Sequence, residues 1–176
     1  MTTARLETNH LILEPFGMPE HIQAWCEMDM DAEVMRHIRP PSPNMEFARK
    51  RLQNAQTDSP AIVGNWGIRE KAGNQVVGRG LLRWLPDESA VEIGYRLSRA
   101  SWGKGYATEL ARAIIHYGFA SLNLPAICGV YQPGNHGSRR VLEKCGLIDA
   151  GITNVHGGTA KPVMMLTLDQ WRAAHT

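Results

Sequence analysis

The run Trp102-Gly103-Lys104-Gly105-Tyr106-Ala107 constrains this chain more than any other stretch. It joins a strand-like segment, Val91 to Leu97, to a helical one, Thr108 to Leu122, so a sheet and a helix must meet at this turn. Glycines carry no Cβ, which lets the backbone turn tightly and approach a ligand closely. The first N–H groups of the helix that follows have no intrahelical partner. Together with the positive end of the helix dipole they form an anion site, most often for a phosphate. Lys104 adds a formal positive charge. The turn therefore points to a phosphate-bearing cofactor. It is not a nucleoside-triphosphate loop, which needs Lys then Ser or Thr after its last glycine; here Tyr106 follows Gly105. Nor is it a dinucleotide fingerprint, which would place glycine at Thr108. An ordinary tight strand-to-helix turn uses the same glycines, so the loop alone leaves both readings open.

The 176 residues suit one domain, 1–176, with a sizeable core. A net charge of +2 without a lysine-arginine block argues against nucleic acid or a membrane surface as partner. Met1 to Asn9 lacks the apolar run of a signal peptide, and no apolar segment is long enough to span a bilayer. Cys26, Cys128 and Cys145 are odd in number and widely spaced, which fits reduced thiols in a cytoplasm. No cysteine-histidine spacing resembles a metal site, so no metal is expected.

Along the chain, Leu11 to Pro15 reads as a short strand, and Pro19 opens a helix to about Asp29. A short helix follows from Asp31, and Arg39-Pro40-Pro41-Ser42-Pro43 cannot continue it. Met45 to Gln56 is a further helix; Ile22 to Gln56 forms a helical flap. Three strands in an antiparallel meander come next: Ala61 to Arg69, Gln75 to Trp84 and Ala90 to Ser98. The third alternates, with Val91, Ile93, Tyr95 and Leu97 on one face and Glu92, Gly94 and Arg96 on a polar one. Ala107, Leu110, Ala111, Ile114, Gly118 and Leu122 make the core stripe of the central helix. Ile127 to Tyr131 is a strand, and strand-helix-strand in one sheet implies a parallel pair with a right-handed crossover. A helix from His136 to Cys145 ends at Gly146; Ile148 to Ile152 and Val163 to Leu168 form a last hairpin, and a terminal helical turn follows to Ala174.

This order of elements resembles the GNAT acyltransferases, and within them the ribosomal-protein N-acetyltransferases. The resemblance covers nearly the whole chain. His10-Leu11-Ile12-Leu13-Glu14-Pro15 is similar to the branch's first strand, and Glu33 to Ile38 to its second-helix signature. Glu92-Ile93-Gly94-Tyr95-Arg96-Leu97 resembles its fourth strand, Trp102 to Glu109 its acetyl-CoA pyrophosphate loop, and Asn135 to Leu147 its Asn-x-x-Ser…Lys-x-Gly-aromatic segment. Trp102 stands where the superfamily has Gln or Arg, and Leu147 where Phe is usual. The fold implied is α+β: a mixed, mostly antiparallel twisted sheet of about seven strands with flanking helices. It would splay between the fourth and fifth strands, Ala90 to Ser98 and Ile127 to Tyr131.

The resemblance implies acetyl transfer from acetyl-CoA to an amine. Trp102, Gly103, Lys104, Gly105, Tyr106 and Ala107 would hold the pyrophosphate, and backbone groups of Tyr95 and Leu97 the pantetheine arm. The side chains of those two are expected in the core. An alkyl amine has a pKa near ~10 and must lose a proton before it attacks. Glu92, on the polar face beside the cleft, is the candidate base; the same position suits a cross-strand ion pair. A backbone N–H near Tyr95 could serve the oxyanion. Ser138 resembles the serine used near the departing sulfur, and Asn135 the residue that bonds the pantetheine amide, a role compatible with an N-cap. The tyrosine many GNAT enzymes use as acid has no counterpart after Tyr131. His136 and His156 fall in turn-like segments, where solvated imidazoles are expected. Cys145 lies at a helix end whose dipole raises a thiol pKa, so direct attack in a ternary complex is expected over an acyl-cysteine. His37, Arg39 and the proline run border the acceptor site by family position. The rival reading is a non-catalytic acyl-CoA-binding module; a protein N-terminus and a small amine both remain open as acceptor, as do monomer and homodimer.

Overall fold

The computed structural model describes residues 3–57 and 62–175. In chain order the elements are β1 (Leu6–Glu7), β2 (Leu11–Pro15), α1 (Pro19–Met30), α2 (Ala32–Met35), α3 (Met45–Thr57), β3 (Ile62–Glu70), β4 (Gln75–Trp84), β5 (Val91–Leu97), α4 (Tyr106–Ala120), β6 (Ala126–Val130), α5 (His136–Lys144), β7 (Ile148–Thr153), β8 (Lys161–Thr167) and α6 (Leu168–Ala174). Local chemistry sets many of the boundaries. Pro19 begins α1, where its missing N–H costs nothing. The Asp31 side chain accepts from the N–H groups of Glu33 and Val34, which separates α2 from α1. Asn135 caps α5, and Thr167 and Gln170 form a reciprocal capping box on α6.

The strands form one sheet in the order β1-β2-β3-β4-β5-β6-β8-β7. Every neighbouring pair is antiparallel except β5 and β6, which α4 connects as a crossover. Among the described residues the sheet has eight strands, against about seven expected. The additional one, β1, contributes only Leu6 and Glu7, paired with Leu13 and Ile12. Two residues are too few for a period-two pattern to be read. The expected strand start at Ala61 lies outside the described residues; the strand they contain begins at Ile62.

One face of the sheet packs on α4. Trp66, Ile68, Leu82, Val91 and Ile93 meet Leu110, Ile114 and Phe119 in the main core. Burying side chains of this size stabilises the fold by ~1.5–3 kcal/mol each. The other face of β5, read from sequence as polar, is covered too: Glu92 is 6% exposed and Arg96 bonds Asp29 of α1. The two charges of β5 can be buried because Glu92 meets Arg83 and Arg96 meets Asp29, an arrangement the alternation of one strand cannot reveal.

Candidate active site

The bend from β5 to α4 is held open by backbone. Gly103 and Gly105 have φ of +77° and +82°, a region where other residues lose ~1–2 kcal/mol. A Cβ built on either would meet no atom within 4 Å. The protein itself therefore does not crowd this bend; space lies above it. Gly105 is the N-cap of α4, and no side chain caps the helix, so its first N–H groups stay available to an anion. The neighbouring Trp102 and Lys104 are less free than the sequence suggests. Trp102 donates its indole N–H to Leu97 O at 3.0 Å. Lys104 Nζ lies 3.1 Å from Glu70 Oε1, which also accepts from the Tyr106 hydroxyl at 2.5 Å. Part of the Lys104 charge is thus balanced by Glu70, contributed by the end of β3.

Beyond the bend, β5 and β6 separate. Their pairing is limited to Val91 with Ile127 and Glu92 with Cys128. Ser98 N–H donates to Val77 O and Leu85 N–H to Ala90 O, so the even-numbered residues of β5 turn their backbone groups toward β4. By alternation Ile93, Tyr95 and Leu97 turn theirs into the gap. The Leu97 carbonyl already takes the Trp102 indole. What remains is a strand edge able to bond an extended ligand.

The Tyr95 side chain belongs to the core only in part. Its ring packs against the main cluster, while its hydroxyl reaches Ser138 Oγ, 3.4 Å away. Burial pushes the Tyr95 hydroxyl pKa well up, so the group remains a donor. A tyrosine thus stands beside Ser138 although none follows Tyr131 in the chain; it comes from β5. Asn135 Oδ1 accepts from Ser138 N–H at 3.1 Å, which fixes the start of α5 against the gap.

At the closed end of the gap is Glu92. Arg83, its cross-strand partner, directs Nε and Nη2 onto Oε2 at 2.9 and 2.7 Å. His156 Nε2 lies 3.2 Å from Oε1. Burial pushes the Glu92 carboxyl up, but His156 and Arg83 outweigh it and hold the group below the usual carboxylate range. Glu92 is therefore ionised, ion-paired and buried. His156, expected to be solvated, is instead docked on it from the β7–β8 connection, with 23% of its side chain exposed. Only the folding of a late hairpin back over β5 brings the two together, so sequence spacing carries no signal for the pair. His136 stays exposed, as expected.

The thiols are poorly placed as nucleophiles. Burial pushes Cys145 up to about 11 and Cys128 up to about 12. The upward direction for Cys145 is the one expected, although burial rather than the helix end is the cause.

A cleft of about 540 Å³ opens between the segment after α2 and the residues after β6. Arg36, His37, Arg39, Pro40, Gln132 and Pro133 are among those that line it. His37, Arg39 and the proline run thus face the strand end that leads to Asn135.

Comparison with known proteins agrees with this architecture. Residues 10–148 match the model of the acetyltransferase (GNAT) domain. The FsC-acetyl coenzyme A-N(2)-transacetylase of Aspergillus fumigatus is 34% identical over 155 residues, covering 81% of this chain. The match takes in 64% of that relative, so the chain spans under two thirds of its length. An uncharacterised N-acetyltransferase, p20, of Bacillus licheniformis is 31% identical over 84% of both chains. A GNAT-family acetyltransferase structure from Bacillus anthracis superposes with a TM-score of 0.78 at 24% identity, covering 94% of this chain and 99% of that one. RimL, a ribosomal L7/L12 α-N-protein acetyltransferase solved with coenzyme A, superposes with a TM-score of 0.73 at 16% identity, covering 95% and 99%. The glycine bend, the divergence of β5 from β6 and the matched residues lead to one assignment: the chain belongs to the GNAT acetyltransferase family.

Proposed function

We propose that the protein transfers an acetyl group from acetyl-CoA to a primary amine by direct attack in a ternary complex. The observation that carries this reading is the gap between β5 and β6, which runs from an uncapped helix start to the Glu92–His156 pair. The pyrophosphate of acetyl-CoA rests on the amides from Gly103 to Ala107, with Trp102 and Lys104 beside it. The pantetheine arm lies along the open edge of β5, bonded by backbone groups of Tyr95 and Leu97, with Asn135 on the opposite side. The coenzyme A of the RimL structure and the acetyl-CoA in the Aspergillus relative's name support this choice of donor.

In the reaction the amine nitrogen attacks the thioester carbon, a C–N bond forms and the C–S bond breaks. The amine proton passes to the Glu92–His156 pair, directly or through water. A carboxylate held below its usual range is a weak base alone. Glu92 therefore acts with His156: it accepts the Nε2–H, leaving Nδ1 free to take the proton. A backbone N–H near Tyr95 stabilises the oxyanion. Ser138 gives a proton or a hydrogen bond to the departing thiolate, with the Tyr95 hydroxyl behind it. The raised pKa values of Cys128 and Cys145 support direct attack over an acyl-cysteine.

Release of free CoA thiol from acetyl-CoA with a panel of amines tests the proposal. Turnover on at least one amine is the expected result. Tight CoA binding with no turnover on any amine would favour a non-catalytic acyl-CoA-binding module.

A further inference from the structure

We infer that the acceptor amine carries an anionic group, a carboxylate or phosphate, which docks on the guanidinium cluster beside the cleft. The inference rests on the acetyl-transfer reading above. It starts from Asp29, which is fully buried at the end of α1. Its Oδ1 receives Arg39 Nη2 at 2.9 Å and Arg96 Nη1 at 3.2 Å. Its Oδ2 receives the Ser42 hydroxyl at 2.5 Å and Arg51 Nη1 at 3.2 Å. Three guanidinium groups thus share one carboxylate, a surplus of two positive charges (3 − 1).

Arg79 enlarges the surplus. It stands directly across the sheet from Arg96. Its Nε donates to Asn65 Oδ1 at 2.8 Å and its guanidinium lies over Phe16, 4.5 Å from the ring centroid. Among the described residues no ion pair joins it to a carboxylate. Like charges opposite one another on a sheet repel, and an enclosed cation without a counter-charge is costly. Such an arrangement is eased when a ligand brings the missing negative charge.

The surplus also has an opening. Arg39, with 36% of its side chain exposed, lines the cleft together with Arg36 and His37; Arg39 has Asp29 as its carboxylate partner and Arg36 has the exposed Glu33. Among the described residues, those that line the cleft include no acidic side chain. Arg39 and Arg96 both lie over Trp25, at 6.0 and 5.3 Å from its ring centroid. Stacking holds the planar forks in place, and a fixed fork matches the two oxygens of a carboxylate or phosphate. The amine end of such an acceptor is then free to face the thioester.

Matched acceptors test the inference: β-alanine against β-alaninamide, and O-phosphoethanolamine against ethanolamine. With the wild-type chain the anionic member of at least one pair should show a kcat/KM higher by about 10-fold, mainly through KM, and this advantage should shrink between about 50 and about 200 mM salt. Whichever pair discriminates identifies the anion. Arg39→Gln should bring the ratio toward one through KM, and Arg39→Lys should restore it only in part. Asp29 retains Arg51, Arg96 and Ser42 in these variants, so the fold should be preserved, which an unchanged melting temperature checks. Equal use of both members of each pair, or a ratio unchanged by Arg39→Gln, would overturn the inference. Failure of every amine to turn over would count against acetyl transfer itself. Calorimetry with glutarate and with inorganic phosphate then decides the anion site: binding weakened about 10-fold by Arg39→Gln upholds it, and absence of binding rejects it.

Discussion

The two ends of the β5–β6 gap are made of different material. The bend at Gly103 to Ala107 is a backbone construction: two left-handed glycines, an uncapped helix start and open space above. The opposite end is a side-chain construction, in which Arg83 of β4, Glu92 of β5 and His156 of the β7–β8 connection meet, and a second such construction gathers Arg39, Arg51 and Arg96 on Asp29 of α1. A backbone site depends on a few consecutive residues and tolerates change elsewhere. A side-chain site depends on the whole fold and is tied to its stability. Substitutions at the two ends should therefore fail in different ways.

The largest effect belongs to Asp29. Asp29→Asn leaves three guanidinium groups without their shared counter-charge, and breaking a buried pair in this way costs ~3–5 kcal/mol. For a chain of this length the midpoint of thermal unfolding should fall by roughly 10 °C. Burial pushes the Asp29 carboxyl up, but Ser42 and its arginines hold it below the ordinary 3.8. Its stabilising contribution is complete above 3.8 and is lost as pH falls through the lower folded value. Asp29→Asn should flatten that acid limb. A melting temperature and acid limb like those of the wild type would mean that the cluster is not integral to the fold.

Glu92→Gln should lower kcat by ~100-fold near neutral pH, within the usual range for loss of proton transfer. The loss should be smaller near pH ~10, where about half of the amine is already neutral. Affinity for CoA should change by less than about 2-fold, because the bend makes no use of Glu92. Equal losses at both pH values would remove Glu92 from the proton route, and a large loss of CoA affinity would erase the division between the two ends.

The same division explains what the sequence disclosed. The bend was legible because Gly103, Gly105 and the helix after them are adjacent in the chain, and their chemistry is local. So were Asn135 as a cap and the parallel strand pair, since a helix between two strands admits few topologies. The docking of His156 on Glu92 was not, because 64 residues separate them and a turn-borne histidine is ordinarily solvated. Nor was the Tyr95 hydroxyl at Ser138, because alternation assigns the ring to the core without saying where its tip ends. The pairing of Lys104 with Glu70 depends on where β3 ends relative to the bend, a tertiary fact. The Asp29 cluster joins α1, the loop after α2, α3 and β5, and no local pattern marks it.

Smaller effects are expected at the bend. Gly105→Ala forces a Cβ into φ +82°, at ~1–2 kcal/mol. Where the backbone relaxes to avoid that strain, the amides turn away from the anion, and the CoA dissociation constant should rise by about 10-fold. The KM for the amine should be nearly unchanged. Calorimetric titration with CoA beside steady-state kinetics separates the two, and a rise confined to the amine KM would contradict the assignment of the bend.

The smallest effect, and the sharpest test of a backbone-built bend, is at Lys104. It carries the formal charge of the loop, yet its ammonium is half-exposed and already paired with Glu70. Exposed pairs of this kind contribute at most ~1 kcal/mol, and solvent screens what they offer a ligand. The helix dipole and the free amides remain when the charge is removed. Lys104→Met should therefore raise the CoA dissociation constant by less than about 5-fold and leave the melting temperature almost unmoved. A loss of about 100-fold would make the bend a charge-built site like the opposite end of the gap, because only a desolvated ammonium on the pyrophosphate could carry so much of the affinity.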